Sequence, residues 1–246
     1  MYPILFQIKG FTFYTHGLLS VLGIIIGAII LYLLARKENL KNELLFDNII
    51  YSVLTGIIGA RLTYFFMYRD QFSGIKEIFY IWDGGMVSFG GFFLGGLAFY
   101  LLLRSQKEPI TKWFDIISIS FSLGLFLGRV GNIFAGEYAG LTTSSKYNLQ
   151  GYIPINLYEG ILLIIIFSAL LAFYSKIKHK DGIIFSIFLI SYGLGRFIID
   201  IWRDESKLFL NISLGQLVSL LVALCGILLI YFLSRKTREV KHGIIS

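Results

Sequence analysis

The spacing of its apolar runs is what most limits how this chain can fold. Seven stretches of roughly twenty residues, at 17–35, 48–68, 86–103, 115–135, 157–175, 182–202 and 214–233, are almost wholly apolar. An α-helix rises 1.5 Å per residue, so about 20 residues cross the roughly 30 Å of hydrocarbon in a bilayer. The links between the runs are too short to hold a water-soluble domain, and 56% of the 246 residues are hydrophobic. The fold class expected is therefore an all-α integral membrane protein with seven transmembrane helices. It forms a single polytopic membrane domain over 1–246, with an N-terminal arm at 1–16 and a basic tail at 234–246. No Lys or Arg precedes Lys9 and no small-residue cleavage site follows the first run, so the first helix is expected to stay in the protein.

The arm reads "ILFQIKGFTFY" and partly alternates around Lys9-Gly10, which predicts a small hairpin on the membrane surface. The formal charge of +7 has to be sorted by link before it says anything about partners. Six Lys and Arg fall in the arm and the even-numbered links, and thirteen in the odd-numbered links and the tail. Cytoplasmic segments carry the basic excess, which predicts an N-terminus outside and a C-terminus inside. The tail "SRKTREVKHG" is then a cytoplasmic anchor against anionic lipid, and no nucleic-acid partner is expected. His179 and His242 sit among lysines in cytoplasmic segments and read as solvated surface. Cys225, a lone thiol in an apolar helix, reads as a packing residue.

Three of the 22 basic residues remain, and they fall inside the spans: Arg61, Arg129 and Arg196. A charge at the centre of a spanning helix costs about 2.5–3.5 kcal/mol even on lenient insertion scales, so partners or a polar cavity must await each of them. Arg129 lies eight residues before Glu137 and Arg196 eight before Asp204, which puts both about 12 Å below the outer helix ends. Thr15 and His16 before helix 1, Trp82 and Asp83 before helix 3, and Asn156, Tyr158 and Glu159 opening helix 5 crowd the same side. Tyr192, Arg196 and Asp200 recur every four residues on one helix face, and Arg129 and Asn132 also share a face. Together these predict a polar pocket between helices 2, 4 and 6 in the outer half of the membrane.

Each piece also has a plainer account. Arg196 and Asp200 suit a structural salt bridge, Arg61 a snorkelling anchor, the glycines helix packing, and Trp82, Tyr158 and Trp202 an aromatic belt. Taken together the plainer accounts weaken, because independent anchors have no reason to choose one leaflet and one depth. A guanidinium fork matches phosphate oxygens, so an outer-leaflet pocket of this kind suits the head group of an anionic phospholipid. A transporter or flippase for an anionic lipid or small anion would use a similar site, but near the midplane of repeated halves, and no internal repeat is visible. A structural membrane subunit would not need three arginines at matched positions.

The segment "GRVGNIFAGEYAG" (128–140) resembles the signature of the prolipoprotein diacylglyceryl transferase family through Gly128, Arg129, Gly131, Asn132, Gly136, Glu137 and Gly140. Further matches follow in order: "GARL" at 59–62, "WDGGM" at 82–86, "PINLYE" at 154–159, "YGLGRF" at 192–197 and "WRDE" at 202–205. The resemblance implies seven spans in a bacterial cytoplasmic membrane, with the active site toward the outer leaflet. It also implies transfer of a diacylglyceryl group from phosphatidylglycerol to the lipobox cysteine of a preprolipoprotein signal peptide, with release of glycerol phosphate. On this resemblance Arg129 and Arg196 hold the phosphate, and Tyr192, Glu137 and His16 join them as catalytic candidates. Arg61, Asn132, Gly140, Asp200, Glu159 and Asp83 form the substrate-binding set. The nucleophile is the substrate's thiol, and no metal or cofactor is expected.

Three departures bear on the base. Phe89 stands where the family often has His, and it cannot move a proton. His16 precedes Gly17 where a Tyr is common, and Ile153 precedes Pro154 where His is common. His16 is accordingly the candidate base at the pocket rim; the plainer account is an interfacial histidine. The departures also suit a paralogue with an altered substrate.

Overall fold

A computed structural model describes residues 3–8, 11–41, 43–80, 84–176, 180–207 and 211–241. Trp82, Asp83, His179 and His242 lie outside the described residues. Among the described residues, seven helices are long and apolar enough to span a membrane: α1 Thr15–Lys37, α2 Leu45–Met67, α3 Ser88–Ser105, α4 Ile110–Ala135, α5 Ile155–Lys176, α6 Ile183–Ile199 and α7 Leu214–Lys241. They fall on the seven apolar runs, with ends shifted by a few residues. The largest shift is at α7, which runs eight residues further than its apolar run, and α4 begins five residues early.

The arm forms the expected hairpin. Strands β1 (Ile4–Ile8) and β2 (Phe11–Tyr14) pair antiparallel with Phe6 opposite Phe13, their rings stacked at 4.6 Å. The Thr15 N–H donates to the Pro3 carbonyl at 3.0 Å and ties the hairpin base to the start of α1. The turn residues Lys9 and Gly10 lie outside the described residues.

The chain divides into two compact units, 1–33 with 111–246, and 34–110. In both, polarity is inverted relative to a water-soluble protein. In the first, Glu159, Asp200 and Ser122 are fully buried while Val21, Ile165 and Phe232 are exposed. In the second, Asn48 and Arg61 are buried while Ile50 and Phe93 are exposed. Apolar surface of this extent is stable only against hydrocarbon, and the buried polar groups must then be satisfied from within. The chain is a multi-pass membrane protein.

Two examples show how they are satisfied. Helix α6 begins at a left-handed Gly182 (φ 94°), and its first free N–H groups would be orphans in lipid. Asp115 of α4 takes them, its carboxylate accepting from the Gly182 N–H at 2.7 Å and the Phe185 N–H at 2.8 Å. In the second unit Asn48 of α2 and Gln106 after α3 exchange reciprocal amide hydrogen bonds at 3.0 and 2.9 Å. Small residues let the helices close up: Gly23 of α1 faces the Gly124 carbonyl of α4, and Gly56 of α2 faces that of Gly91 in α3.

The loop after α4 sets the frame of the polar region. Residues 138–143, with Ala139 left-handed at φ 59°, run between two partners. On one side Gly140 bridges Arg203, the Leu141 N–H donates to the Trp202 carbonyl at 3.0 Å, and the Asp204 N–H donates to that of Ala139 at 3.2 Å. On the other, the Ile153 and Ile155 N–H groups donate to Leu141 and Tyr138 at 3.0 and 3.1 Å. Pro154 then leads into α5, where its fixed φ suits a helix start.

Candidate phospholipid headgroup site

Asn156 and Glu159 stand three residues apart near the start of α5, hence on one face. Arg129 comes from α4. Tyr192, Arg196 and Asp200 come down one face of α6, and Arg203 follows the short 3-10 turn Asp200–Trp202, where the backbone becomes extended. These side chains meet around Glu159. Its carboxylate lies 2.8 Å from Arg129 Nε, 3.2 Å from an Nη of Arg196 and 3.2 Å from Arg203 Nη2. Asp200 forms a second node, 3.4 Å from Arg196 Nε and 2.7 Å from Arg203 Nε.

Neutral groups complete the frame. The Tyr192 hydroxyl accepts from Arg196 at 2.9 Å, and the Asn156 Oδ1 accepts from Arg129 at 3.2 Å. The Asn156 amide also donates to the Glu137 carbonyl, which ties the end of the 128–137 segment to the cluster.

Exposure decides what this arrangement can do. The side chains of Glu159 and Asp200 have no accessible surface, whereas Arg129, Arg196 and Arg203 keep 16, 19 and 11%. The carboxylates lie behind and the guanidiniums in front, with one cation in excess among the buried groups. Glu205, partly exposed, approaches Arg203 at 3.6 Å from the rim. Neither Glu159 oxygen nor Arg203 Nη2 is in an aligned hydrogen bond among the described residues. The contacts to Glu159 are ion pairs made on the covered side of the three guanidiniums. A site with forked donors in front and countercharge behind suits a phosphodiester.

The comparison with known sequences decides the lineage. Residues 3–232 match the family described as prolipoprotein diacylglyceryl transferase. The chain belongs to that family. It is 28% identical to phosphatidylglycerol–prolipoprotein diacylglyceryl transferase 1 of Clostridium perfringens, over 99% of each chain. It is 31% identical to the Clostridium kluyveri protein of the same activity name, covering 98% of this chain and all of that one. Against the Streptococcus pneumoniae counterpart it is 32% identical over 87% of this chain and 89% of the other.

Against this family background the individual expectations sort as follows. Arg129, Arg196, Tyr192, Asp200 and Glu159 come together, but the cluster is centred on α5 and gathers helices 4, 5 and 6, because Glu159 is the shared counter-ion. Having no accessible surface, Glu159 holds arginines and has no face for a substrate. Glu137 and His16 form a separate, exposed pair, His16 Nδ1 lying 3.9 Å from the Glu137 carboxylate. Asn132 is half-buried, and its carbonyl accepts from the Glu137 N–H at 2.9 Å.

Gly140 serves through its backbone: a Cβ there would collide with the Ile153 carbonyl, so only glycine lets the 138–143 strand pass and pair with Arg203. Arg61 donates to the carbonyls of Ile78, Gly84, Gly85, Glu77 and Tyr80 within its own unit. All five guanidinium donors are thereby spent on folding the 77–85 loop, where Gly84 and Gly85 take left-handed φ of 77° and 73°. That leaves none for a phosphate. Asp83 lies outside the described residues.

Two members were missed. Arg203 was counted as an ordinary link charge, although its place three residues after Asp200 and inside "WRDE" was a usable signal. Asn156 was seen only as a polar helix opening.

Proposed function

We propose that this chain transfers the diacylglyceryl group of phosphatidylglycerol to the lipobox cysteine thiol of a preprolipoprotein. The observation that carries the reading is the front of three guanidiniums, backed by two wholly buried carboxylates, in a chain of this family. Arg129 and Arg196 grip the phosphodiester oxygens. The substrate's sulfur attacks the glyceryl carbon that bears the phosphate; a C–S bond forms, the C–O bond breaks, and glycerol phosphate leaves. Negative charge grows on the departing phosphate, and donors already in place for that charge are usually the largest electrostatic contribution to such a step.

The thiol's proton goes to a base, for which His16, facing Glu137, is the candidate. The basic residues sorted by link support a cluster toward the outer leaflet, and family membership supports a bacterial cytoplasmic membrane, where the phospholipid and the emerging signal peptide meet. Family membership favours the transferase over a lipid or anion carrier.

The test incubates purified protein with labelled phosphatidylglycerol and a lipobox peptide, alongside Arg129→Ala and Arg196→Ala. Thioether product is expected from the parent, falling by about 10²–10³ in each variant, the scale seen when one charge-stabilising donor is removed. Lipid movement without thioether would overturn the reading in favour of transport.

A further inference from the structure

One concavity beside the arginine cluster plays no part in the chemistry above. It encloses about 320 Å³, at the lower end of the size of ligand pockets. Its floor is Ile153 and Pro154, and its walls are Tyr158, Trp202, Tyr147 and the hydroxyl side of Thr143 and Ser145. Local turns shape one wall, the Thr143 hydroxyl accepting from the Ser145 N–H at 3.2 Å and the Ser145 hydroxyl from the Tyr147 N–H at 3.4 Å.

Building on the transferase reading, we propose that this cleft seats an apolar side chain of the substrate peptide next to its cysteine. Three observations support it. First, among the described residues no charged one lines the cleft, so it offers a phosphate no countercharge, and its volume has no room for two acyl chains. Second, it shares a frame with the cluster. Leu141 accepts from Ile153 of the floor and donates to Trp202 of the wall, while neighbouring Gly140 bridges Arg203. Trp202 is next in sequence to Arg203 and Tyr158 to Glu159, so the cleft and the cluster are built on the same two segments.

Third, large aromatics stand open there: Tyr147 is 72% and Trp202 43% exposed. Tyr and Trp in a concave site are the residues that most often anchor a bound peptide. A signal peptide supplies the matching chemistry, an apolar stretch ending in small residues. A belt resting on lipid headgroups needs no concavity.

The test uses the full chain in lipid nanodiscs, with Trp202→Ala and Tyr147→Ala, and Trp202→Phe as a variant that keeps the packing. The KM for a lipobox peptide is expected to rise about tenfold in the alanine variants, the effect of truncating an interface anchor. The KM for phosphatidylglycerol stays within twofold, and Trp202→Phe falls between. Shrinking the peptide's last large apolar residue before the cysteine to Ala should raise the parent's KM similarly and add little in Trp202→Ala.

Binding is read separately with a fluorescent peptide whose cysteine is replaced by serine. Peptide binding weakened by the alanine variants supports the cleft even where no thioether forms, an outcome that sinks only the transferase reading. An unchanged peptide KM and binding in folded variants overturns the cleft, as does a shift confined to phosphatidylglycerol, which would make the surface a lipid contact.

Discussion

Glu159→Gln puts the electrostatic account at risk most directly. The substitution keeps the shape of the side chain and removes one charge from the point where Arg129, Arg196 and Arg203 converge at 2.8, 3.2 and 3.2 Å. Among the described residues of the cluster, Asp200 would then be the wholly buried carboxylate that remains, in contact with Arg196 and Arg203. Removing one partner of a buried pair costs about 3–5 kcal/mol, and the partial exposure of the arginines argues for the lower figure, about 3 kcal/mol. For a chain of this size that corresponds to a fall in Tm of about 6–12 °C.

The assay is thermal unfolding in detergent micelles, with and without phosphatidylglycerol. An anionic lipid supplies the charge the variant lacks, so the lipid-induced rise in Tm should be larger in Glu159→Gln than in the parent. Transfer activity should fall with the loss of arginine placement. A variant that unfolds at the parent's temperature and gains no more from lipid would refute the view that Glu159 organises the three cations.

Arg61→Lys replaces five directed donors with three, leaving at least two carbonyls of the 77–85 loop unsatisfied; a loss of about 2–4 kcal/mol should appear in unfolding measurements. Gly140→Ala forces a Cβ against the Ile153 carbonyl, and a loss of more than about 2 kcal/mol with near-complete loss of transfer is expected; full activity would show that the strand can shift. His16→Ala should lower turnover about 10²-fold if the imidazole takes the thiol's proton, and unchanged turnover removes it from the mechanism. Asp115→Ala leaves the Gly182 and Phe185 N–H groups without that carboxylate, and should cost about 1–2 kcal/mol with little effect on either KM.

The spans were legible in the sequence because a lipid-facing helix needs apolar residues all round, so its signal is continuous and does not depend on knowing its neighbours. Arg129, Arg196 and Asp200 were legible for the opposite reason, as polar residues at a depth where each needs a partner. What could not be read was who the partners are. Arg61 carries the same signal as Arg129, a guanidinium within an apolar run, yet one spends its donors on loop carbonyls and the other on a carboxylate and an amide. Arg203 was obscured by its place past a helix end, where a charge needs no excuse; only the pairing of its backbone with Gly140 draws it inward. Glu159 reads by resemblance as a substrate-binding residue because sequence position gives no measure of how deeply the start of a helix is covered.

The shared counter-ion also has a consequence for biosynthesis. Thirty residues separate Arg129 from Glu159, and a further thirty-seven lead to Arg196. At about 5–20 residues per second, Arg129 emerges from the ribosome some 1.5–6 s before its neutralising carboxylate does. For that interval its guanidinium has only water, headgroups or the insertion machinery for company, so helices 4 to 6 are expected to enter the lipid as a group rather than one by one.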